Sequence, residues 1–399
     1  MNILYHFRTR GTGPEAVHIS GIATAFEKAG HHVVFSSPAG IDPRKSAGAS
    51  PYQSQGKASA LASLSRFCPG IVFELLEIGY NIPAFLRNRK LLCRGKFGLI
   101  YERHALFLAS TAWLARLRGV PLIVEVNELV GDARVRKQPW LSFIARWFDK
   151  FVFRHARGIV VVSPYLKRRI QALGITESKI LVLPNAVDGE AYAQPADGTV
   201  MRKRLGLEGK VVVGFVGWFV AWHRLDLLLE VFSALAAARP DLRLVLVGEG
   251  PLRAELEQQI KELGIEGRVV FSGVLPHGEI PAAIAAMDIC VVPHSNEYRS
   301  PIKLFEYMGQ GRLVVAPAME PIEMVVRDGE SGLLFSAGDK DSLTRALVRG
   351  VDDTSLCEKI GKQARRNVLQ YYTWRQNAER VLNEFDLGKS SLPFSPYRW

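Results

Sequence analysis

Short apolar runs recur along the chain, each followed by a longer stretch with apolar positions three or four apart. Residues 3–7 form the first run. Residues 15–29 follow with Val17, Ile22 and Phe26 at helical spacing, and stop at Gly30. Residues 32–36 read as the next strand, and further runs fall at 99–102, 122–126, 159–162 and 180–183, with helical stretches between them. Residues 71–92 are apolar at helical spacing and predict one helix ending in the basic cluster Arg87, Arg89, Lys90, Arg94 and Lys96. Residues 38–66 are rich in Ser, Ala, Gly and Lys and read as a long mobile insertion. Short buried strands alternating with helices predict a parallel sheet covered on both faces.

The pattern then restarts. Residues 211–216, 242–247, 269–272, 289–292 and 313–316 are five more apolar runs, each leading into a helical stretch. The prediction is an α/β chain with two doubly wound domains in tandem, residues 1–190 and 200–370. The polar segment 189–200 is the expected flexible hinge. Residues 371–386 form a last amphipathic helix, expected to cross back to the first domain, and the tail from Gly388, with Pro393 and Pro396, reads as irregular. A length of 399 residues agrees with two domains, since single cores stop growing near about 250–300 residues. Sheets of this kind bind ligands beyond the C-terminal ends of their strands, so two facing domains enclose a cleft.

Composition adds exclusions. With 48% hydrophobic and 23% charged residues, the chain is neither disordered nor fibrous. No apolar run approaches the roughly 20 residues of a membrane span, and the first residues are too short an apolar stretch for a signal peptide; the expected location is cytoplasmic. The four cysteines, Cys68, Cys93, Cys290 and Cys357, are scattered, which argues against a disulfide framework or a zinc ribbon. The net charge is +12, and it is uneven: residues 1–190 carry 26 Lys and Arg against 13 Asp and Glu, while residues 191–399 carry 25 against 26. The first half therefore faces something anionic, such as a phosphorylated ligand, a lipid headgroup or nucleic acid. No nucleic-acid motif accompanies the charge, so nucleic acid is the weakest of the three.

Residues 293–317, PHSNEYRSPIKLFEYMGQGRLVVAP, carry the clearest chemistry. A strand ends at Pro293, a polar loop follows, and a helix opens near Pro301 and Ile302. Backbone N–H groups at such a helix start suit a phosphate. Lys303 adds charge in the first turn, and Glu306, one turn on, is placed to accept hydrogen bonds from sugar hydroxyls. The plain alternative is a strand–loop–helix with a surface Lys and Glu.

The stretch SPIKLFEYMGQGRLVVAP resembles the C-terminal signature of retaining, nucleotide-sugar-dependent glycosyltransferases of family 4, which have the GT-B fold. The segments FVGWFVAWHRLDLLLEVFSAL, LRLVLVGEGPLRAEL, RVVFSGVLPHGEIPAAIAAMDICVVP and DGESGLLFSAGDKDSL resemble further units of that family in the same order. The resemblance covers nearly the whole chain and is strongest from 211 to 340. It implies two Rossmann-like domains facing a central cleft, an acceptor-binding first domain and a donor-binding second one. It does not specify the sugar or the acceptor.

At residue level the resemblance implies that Glu306 binds the nucleotide ribose and that amides of Ser300, Ile302, Lys303 and Leu304, beside Pro301, face the diphosphate. The family's other glutamate position falls on Tyr298, next to Glu297. Trp218 stands where the family has an arginine, and His223, followed by Arg224, where it has a lysine. Positive charge would then come from Arg224, Lys303 or Arg299, with His223 contributing if protonated. Gly217, Gly248 and Val274 complete the expected donor site. In the first domain, Gly11 and Gly13 lie in the loop after the first strand and allow close backbone approach to a ligand. His18, Arg103, His104, Glu125, Asn127 and Glu128 are the remaining acceptor candidates. His18 is expected on the first helix, facing the cleft or simply exposed. Glu102 shares the strand-end setting of the others, and for these strand-end caps and ion pairs are the structural alternative. Asn127 replaces the family's histidine and would act by hydrogen bonding.

The implied reaction is retaining transfer of a hexose or N-acetylhexosamine from a nucleotide diphosphate sugar, a uridine diphosphate sugar before guanosine diphosphate mannose, to an acceptor hydroxyl. It implies no metal and no cofactor beyond the donor. A lipid-linked or phosphorylated acceptor fits the basic first half. Residues 138–157, aromatic on one face with interleaved Arg146, Lys150 and Arg154, suggest peripheral contact with an anionic membrane, core packing being the alternative. A soluble natural-product acceptor, a nucleotide-sugar binder without transfer activity and an epimerase of the same fold are the competing readings.

Overall fold

The structure is a computed structural model that describes residues 1–9, 14–38, 40, 42–45, 70–132 and 138–387. The first domain carries strands β1 (Asn2–His6), β2 (His32–Ser36), β3 (Phe97–Arg103), β4 (Leu122–Val126), β5 (Gly158–Val161) and β6 (Ile180–Val182). Its helices are α1 (Pro14–Lys28), α2 (Gly70–Gly79), α3 (Asn81–Arg94), α4 (Ser110–Arg118), α5 (Ser142–His155) and α6 (Pro164–Gln171). All pairings are parallel, in the order β2-β1-β3-β4-β5-β6. The central strands are covered on both faces, which is why β4 (LIVEV) is buried along its whole length.

The second domain repeats this plan. It begins with α7 (Thr199–Arg204) and continues with β7 (Val211–Val216), α8 (Leu225–Ala238), β8 (Leu242–Val247), α9 (Arg253–Glu262), β9 (Val269–Gly273), α10 (Ile280–Ala285) and β10 (Ile289–Val291). Then come α11 (Ile302–Gly309), β11 (Leu313–Ala318), α12 (Glu320–Glu323), β12 (Leu333–Ser336), α13 (Lys340–Asp352) and α14 (Thr354–Tyr371). Its sheet is also parallel, in the order β12-β11-β10-β7-β8-β9. Apolar cores line both faces of each sheet.

A final helix, α15 (Trp374–Glu384), returns to the first domain. A capping box starts it: the Thr373 side chain accepts from the Gln376 amide, and the Gln376 side chain accepts from the Thr373 amide. The Val187 amide donates to the Tyr372 carbonyl and the Trp374 amide to the Val187 carbonyl, which ties this return to the chain leaving β6.

Three readings change. The helix expected over 71–92 is two helices, broken at Gly79 and Tyr80. A sixth strand, β12, lies where no apolar run was singled out. The segment 189–200 is pinned rather than loose: Tyr192 is buried against Gly309, and the Arg365 guanidinium donates to the carbonyls of Tyr192, Ala193 and Gly309. Most of the insertion at 38–66 lies outside the described residues.

Candidate active site

The loops leaving the C-terminal ends of the two sheets meet. Ser163, after β5, caps α6 and donates its hydroxyl to the Tyr298 carbonyl at 2.9 Å. Asn185, after β6, makes two bonds to Ser300, from its amide to Oγ at 2.9 Å and from Nδ2 to the carbonyl at 2.5 Å. Tyr298 and Ser300 belong to the loop that leads from β10 into α11. The first domain therefore holds the segment that opens α11.

Pro301 caps that helix with extended backbone. The Leu304 amide donates to the Pro301 carbonyl at 3.1 Å, so it is spent inside the turn. The amides of Ile302 and Lys303 find no acceptor among the described residues. Amides left unpaired at the positive end of a helix suit an anion, which makes this helix start a candidate anion site.

The Lys303 amine completes it. Its Nζ lies 3.3 Å from Nε2 of His223 and 3.9 Å from the centre of the Phe215 ring. Gly217, which follows β7, passes beneath it with φ +151°, and a Cβ there would stand 2.5 Å from Nζ. Gly248, after β8, has φ +130°, and a Cβ there would overlap the Gly217 carbonyl. Both positions thus require glycine, for backbone conformation and for space. Burial lowers the Lys303 pKa to about 7, with Glu306 opposing the shift. Burial raises Glu306 to about 7, with Lys303 opposing it. Both side chains are largely, though not completely, covered.

The other expected cations differ from the sequence reading. His223 is neutral: burial, then the charge of Lys303, pushes it down to about 2. It accepts from Lys303 instead of donating charge to a phosphate. Arg224 grips Asp226 with its Nε and Nη2, at 2.9–3.0 Å, which offsets its charge. Arg299 stacks over the rings of Trp222 and Tyr298, 5.2 and 5.3 Å from their centres. Trp222 is held in turn through its carbonyl, which accepts from His294 Nδ1.

Two further donor candidates serve to join the domains. Tyr298 is 3% exposed and packs among first-domain core residues, 6.5 Å from Tyr165. Ser300 is buried and bound to Asn185 as described. The Leu304 side chain belongs to the second-domain core, whereas Val274 is exposed after β9.

Most acceptor candidates are already satisfied inside the protein. Glu125 is 1% exposed and accepts from Arg103, Tyr101 and Asn127, with His18 Nε2 2.8 Å away. Burial alone would raise its pKa, but His18, Arg103 and Asn127 outweigh it and hold the carboxyl at about 2. The other nitrogen of His18 lies 2.7 Å from Oδ1 of Asn185. His104 pairs with Asp149 at 2.8 Å, and Glu102 is buried between His6 and Thr111. Arg103, His104 and Glu125 are therefore engaged in strand-end ion pairs, and His18, expected to face the cleft or lie exposed, is buried among them. Asn127 and Glu128 stay half-buried at the end of β4. Gly11 and Gly13 lie outside the described residues.

Sequence reasoning missed Ser163 and Asn185. The available signal was their place: each is a polar residue just past the end of a first-domain strand.

The chain is similar to known glycosyltransferases in both of its domains. Residues 13–186 match the model of a glycosyl transferase 4-like domain, and residues 198–367 match that of glycosyl transferases group 1. The chain is 32% identical to the 2-deoxystreptamine glucosyltransferase of Streptomyces kanamyceticus over 60% of its own length and 63% of that protein's. It is 26% identical to a GDP-mannose-dependent phosphatidylinositol monomannoside mannosyltransferase of Mycolicibacterium smegmatis, over 70% of its own length and 76% of that protein's. Among solved structures, Anabaena HepE in complex with UDP is similar with a TM-score of 0.70 at 19% identity, over 96% of this chain and all of that one. Sucrose-phosphate synthase of Thermosynechococcus elongatus gives 0.73 at 20% identity, over 97% and 98%. With both of its domains matched in order and its GT-B fold shared with these structures, the chain belongs to the GT-B glycosyltransferases of the family 4 type.

Proposed function

We propose that the protein transfers a hexose or N-acetylhexosamine from a nucleotide diphosphate sugar to an acceptor hydroxyl with retention of configuration, and that a uridine diphosphate sugar is the donor. The observation that carries this reading is the start of α11: free amides at Ile302 and Lys303, and the Lys303 amine against Gly217 and His223. Solved structures of the similar Anabaena protein contain UDP, UDP with glucose, and UDP-glucose, which supports the uridine preference.

In this scheme the diphosphate lies at the helix terminus and Glu306 accepts from the ribose hydroxyls. Departure of the nucleoside diphosphate builds negative charge where Lys303 and the amides already point, so little reorganisation is needed. The acceptor attacks on the face the leaving group vacates. A donor phosphate oxygen takes the proton, and no enzymic base is required. This fits a first domain whose carboxylates Glu102 and Glu125 are buried in other bonds. The scheme calls for no metal ion.

The acceptor is read as lipid-linked, on the basic excess of residues 1–190. A soluble acceptor is the second reading, favoured by the similarity to the Streptomyces kanamyceticus protein. Incubating the protein with a panel of nucleotide sugars tests the proposal. The expected result is stabilisation by UDP and release of UDP with transfer to an axial-linked product by NMR. No stabilisation by any nucleoside diphosphate would refute it.

A further inference from the structure

We infer that helices α2, α3, α4 and α5 form a docking surface for an anionic lipid bilayer. These helices are neighbours on one side of the first domain. Glu74 of α2 accepts from the Trp140 and Leu141 amides at the start of α5, and Gly70 lies against the Trp140 ring. Trp113 of α4 stacks on Phe151 of α5 at 4.9 Å, and Phe151 stacks on Trp147 at 5.9 Å. Helix α3 packs on both α2 and α4.

This side turns large apolar groups outward. Trp140, Phe143 and Trp147 are 78%, 70% and 59% exposed. Leu75 and Leu76 of α2 and Leu86 of α3 are also exposed, each by half or more. Isolated exposed apolar residues are ordinary, but a contiguous group of this size marks a contact surface.

Charge identifies the occupant. The acidic residues of these four helices are Glu74, Glu77 and Asp149. Glu74 is spent on amides, Glu77 on Arg8 and Asp149 on His104. The basic residues Arg89, Lys90, Arg94, Arg146 and Arg154 are all exposed. Trp and Phe between Arg and Lys suit the boundary between headgroups and acyl chains, where rings enter the apolar layer and cations meet lipid phosphates. A protein partner would need matched acidic groups, whereas an anionic bilayer offers them everywhere. The inference deepens the lipid-linked acceptor reading and rests on it only for its purpose, because binding is measured without turnover.

Co-sedimentation of the full chain with vesicles of phosphatidylglycerol and phosphatidylcholine tests it, beside pure phosphatidylcholine vesicles. The expected result is binding to the anionic vesicles that falls as salt rises, because exposed charges are screened. The variant Phe143→Ala, Trp147→Ala should bind at least roughly tenfold more weakly, since both rings withdraw apolar area from water when they enter the bilayer. Arg146→Glu with Arg154→Glu should weaken binding at low salt and reduce its salt dependence, leaving the contribution of Arg89, Lys90 and Arg94. Retained stabilisation by UDP shows that each variant is folded; Trp140→Ala, with its ring almost wholly in solvent, is the substitute if the double variant is not.

Failure to bind anionic vesicles at low salt overturns the inference. So does unchanged binding by the folded variants, or a dimer in buffer that the aromatic substitutions abolish, which would make this side a self-contact. The two readings separate cleanly. UDP stabilisation without vesicle binding removes the surface and keeps the transferase; vesicle binding without any nucleotide effect does the reverse.

Discussion

At the scale of single residues, the site is a contest between burial and charge at Lys303. Its amine sits near neutrality because burial disfavours the cation, with Glu306 only partly restoring it. A bound diphosphate supplies the missing counter-charge and raises its pKa. Above about pH 7 part of the lysine is neutral, so donor binding must take up protons there. Calorimetry with UDP at about pH 8 should give a heat that varies with the buffer's ionisation enthalpy. Lys303→Met should abolish that variation and weaken binding. A buffer-independent heat in the wild type would remove Lys303 from the phosphate site. Gly217 supplies a second test. Gly217→Ala forces a methyl against Nζ and strains a backbone at φ +151°, a cost of about 1–3 kcal/mol. UDP affinity should fall sharply in Gly217→Ala, and in the double variant with Lys303→Ala the two losses should sum to less than additive, because the clash with Nζ is gone and only the backbone strain remains. A strictly additive loss would show that the two do not meet.

Residue identity was legible in the sequence where local spacing decides it. Gly217 follows a strand, and Lys303 and Glu306 open a helix. The fates of His18, Glu125 and His104 were not legible. The partners of His18 and His104 are 167 and 45 positions away, on Asn185 and Asp149, and no local pattern encodes such pairs; Glu125 has near partners in Arg103 and Asn127, but His18 reaches it from another element. His223 was misread for the same reason: its neutrality comes from burial beside Lys303, 80 positions on.

At the scale of elements, the decisive feature is how the loop before α11 is held. A helix of eight residues cannot fix its own entry, and Ser163 and Asn185 do this from the other domain. Asn185→Ala removes the side-chain bond to the Ser300 carbonyl and leaves His18 Nδ1 without its Oδ1 partner. The expected cost is about 1–3 kcal/mol for the buried groups left unpaired. The helix terminus should then be less well placed, so the donor KM should rise roughly tenfold. Asn185→Ala should alter KM for the donor more than the melting temperature of the second domain, and Asn185→Gln should not rescue it. Equal changes in thermal stability and none in KM would make Asn185 a purely structural residue. Element existence was largely legible, because parallel strands buried on both faces are continuous apolar runs; the predicted and observed strands differ by at most two residues at either end. The break at Gly79 and Tyr80 was hidden because apolar spacing continues across it. Strand β12 was hidden because its four residues lie between Gly332 and the Gly338 turn, in a segment read for its glycines.

At the scale of the whole molecule, the last helix belongs to the domain at the other end of the chain. Helix α15 packs on α1 in the first-domain core, beside Ile22, Phe26 and Ala378. Its two aromatic ends rest on glycines: Trp374 lies against Gly21 and Phe385 against Gly158, where a methyl at either position would overlap the ring. The chain thus closes on itself, and the first domain cannot complete its core until the second has been traversed. Trp374→Ala leaves a cavity over Gly21 and removes the ring that packs edge-on against His18 at 4.8 Å. The expected loss is about 3–5 kcal/mol. Because the lost contacts lie in the first domain, hydrogen exchange should rise in α1 and in β5. It should stay low in β7 and β8, although the mutated residue follows the second domain in sequence. UDP should still stabilise the variant, since α11 and the Gly217 loop are untouched. Faster exchange in β7 rather than α1 would show that α15 instead braces the donor domain. The same closure bears on the bilayer surface. Helix α15 covers one face of the first-domain sheet, and the helices that carry the surface pack on the other, so a variant lacking α15 should lose vesicle binding through loss of the first-domain fold.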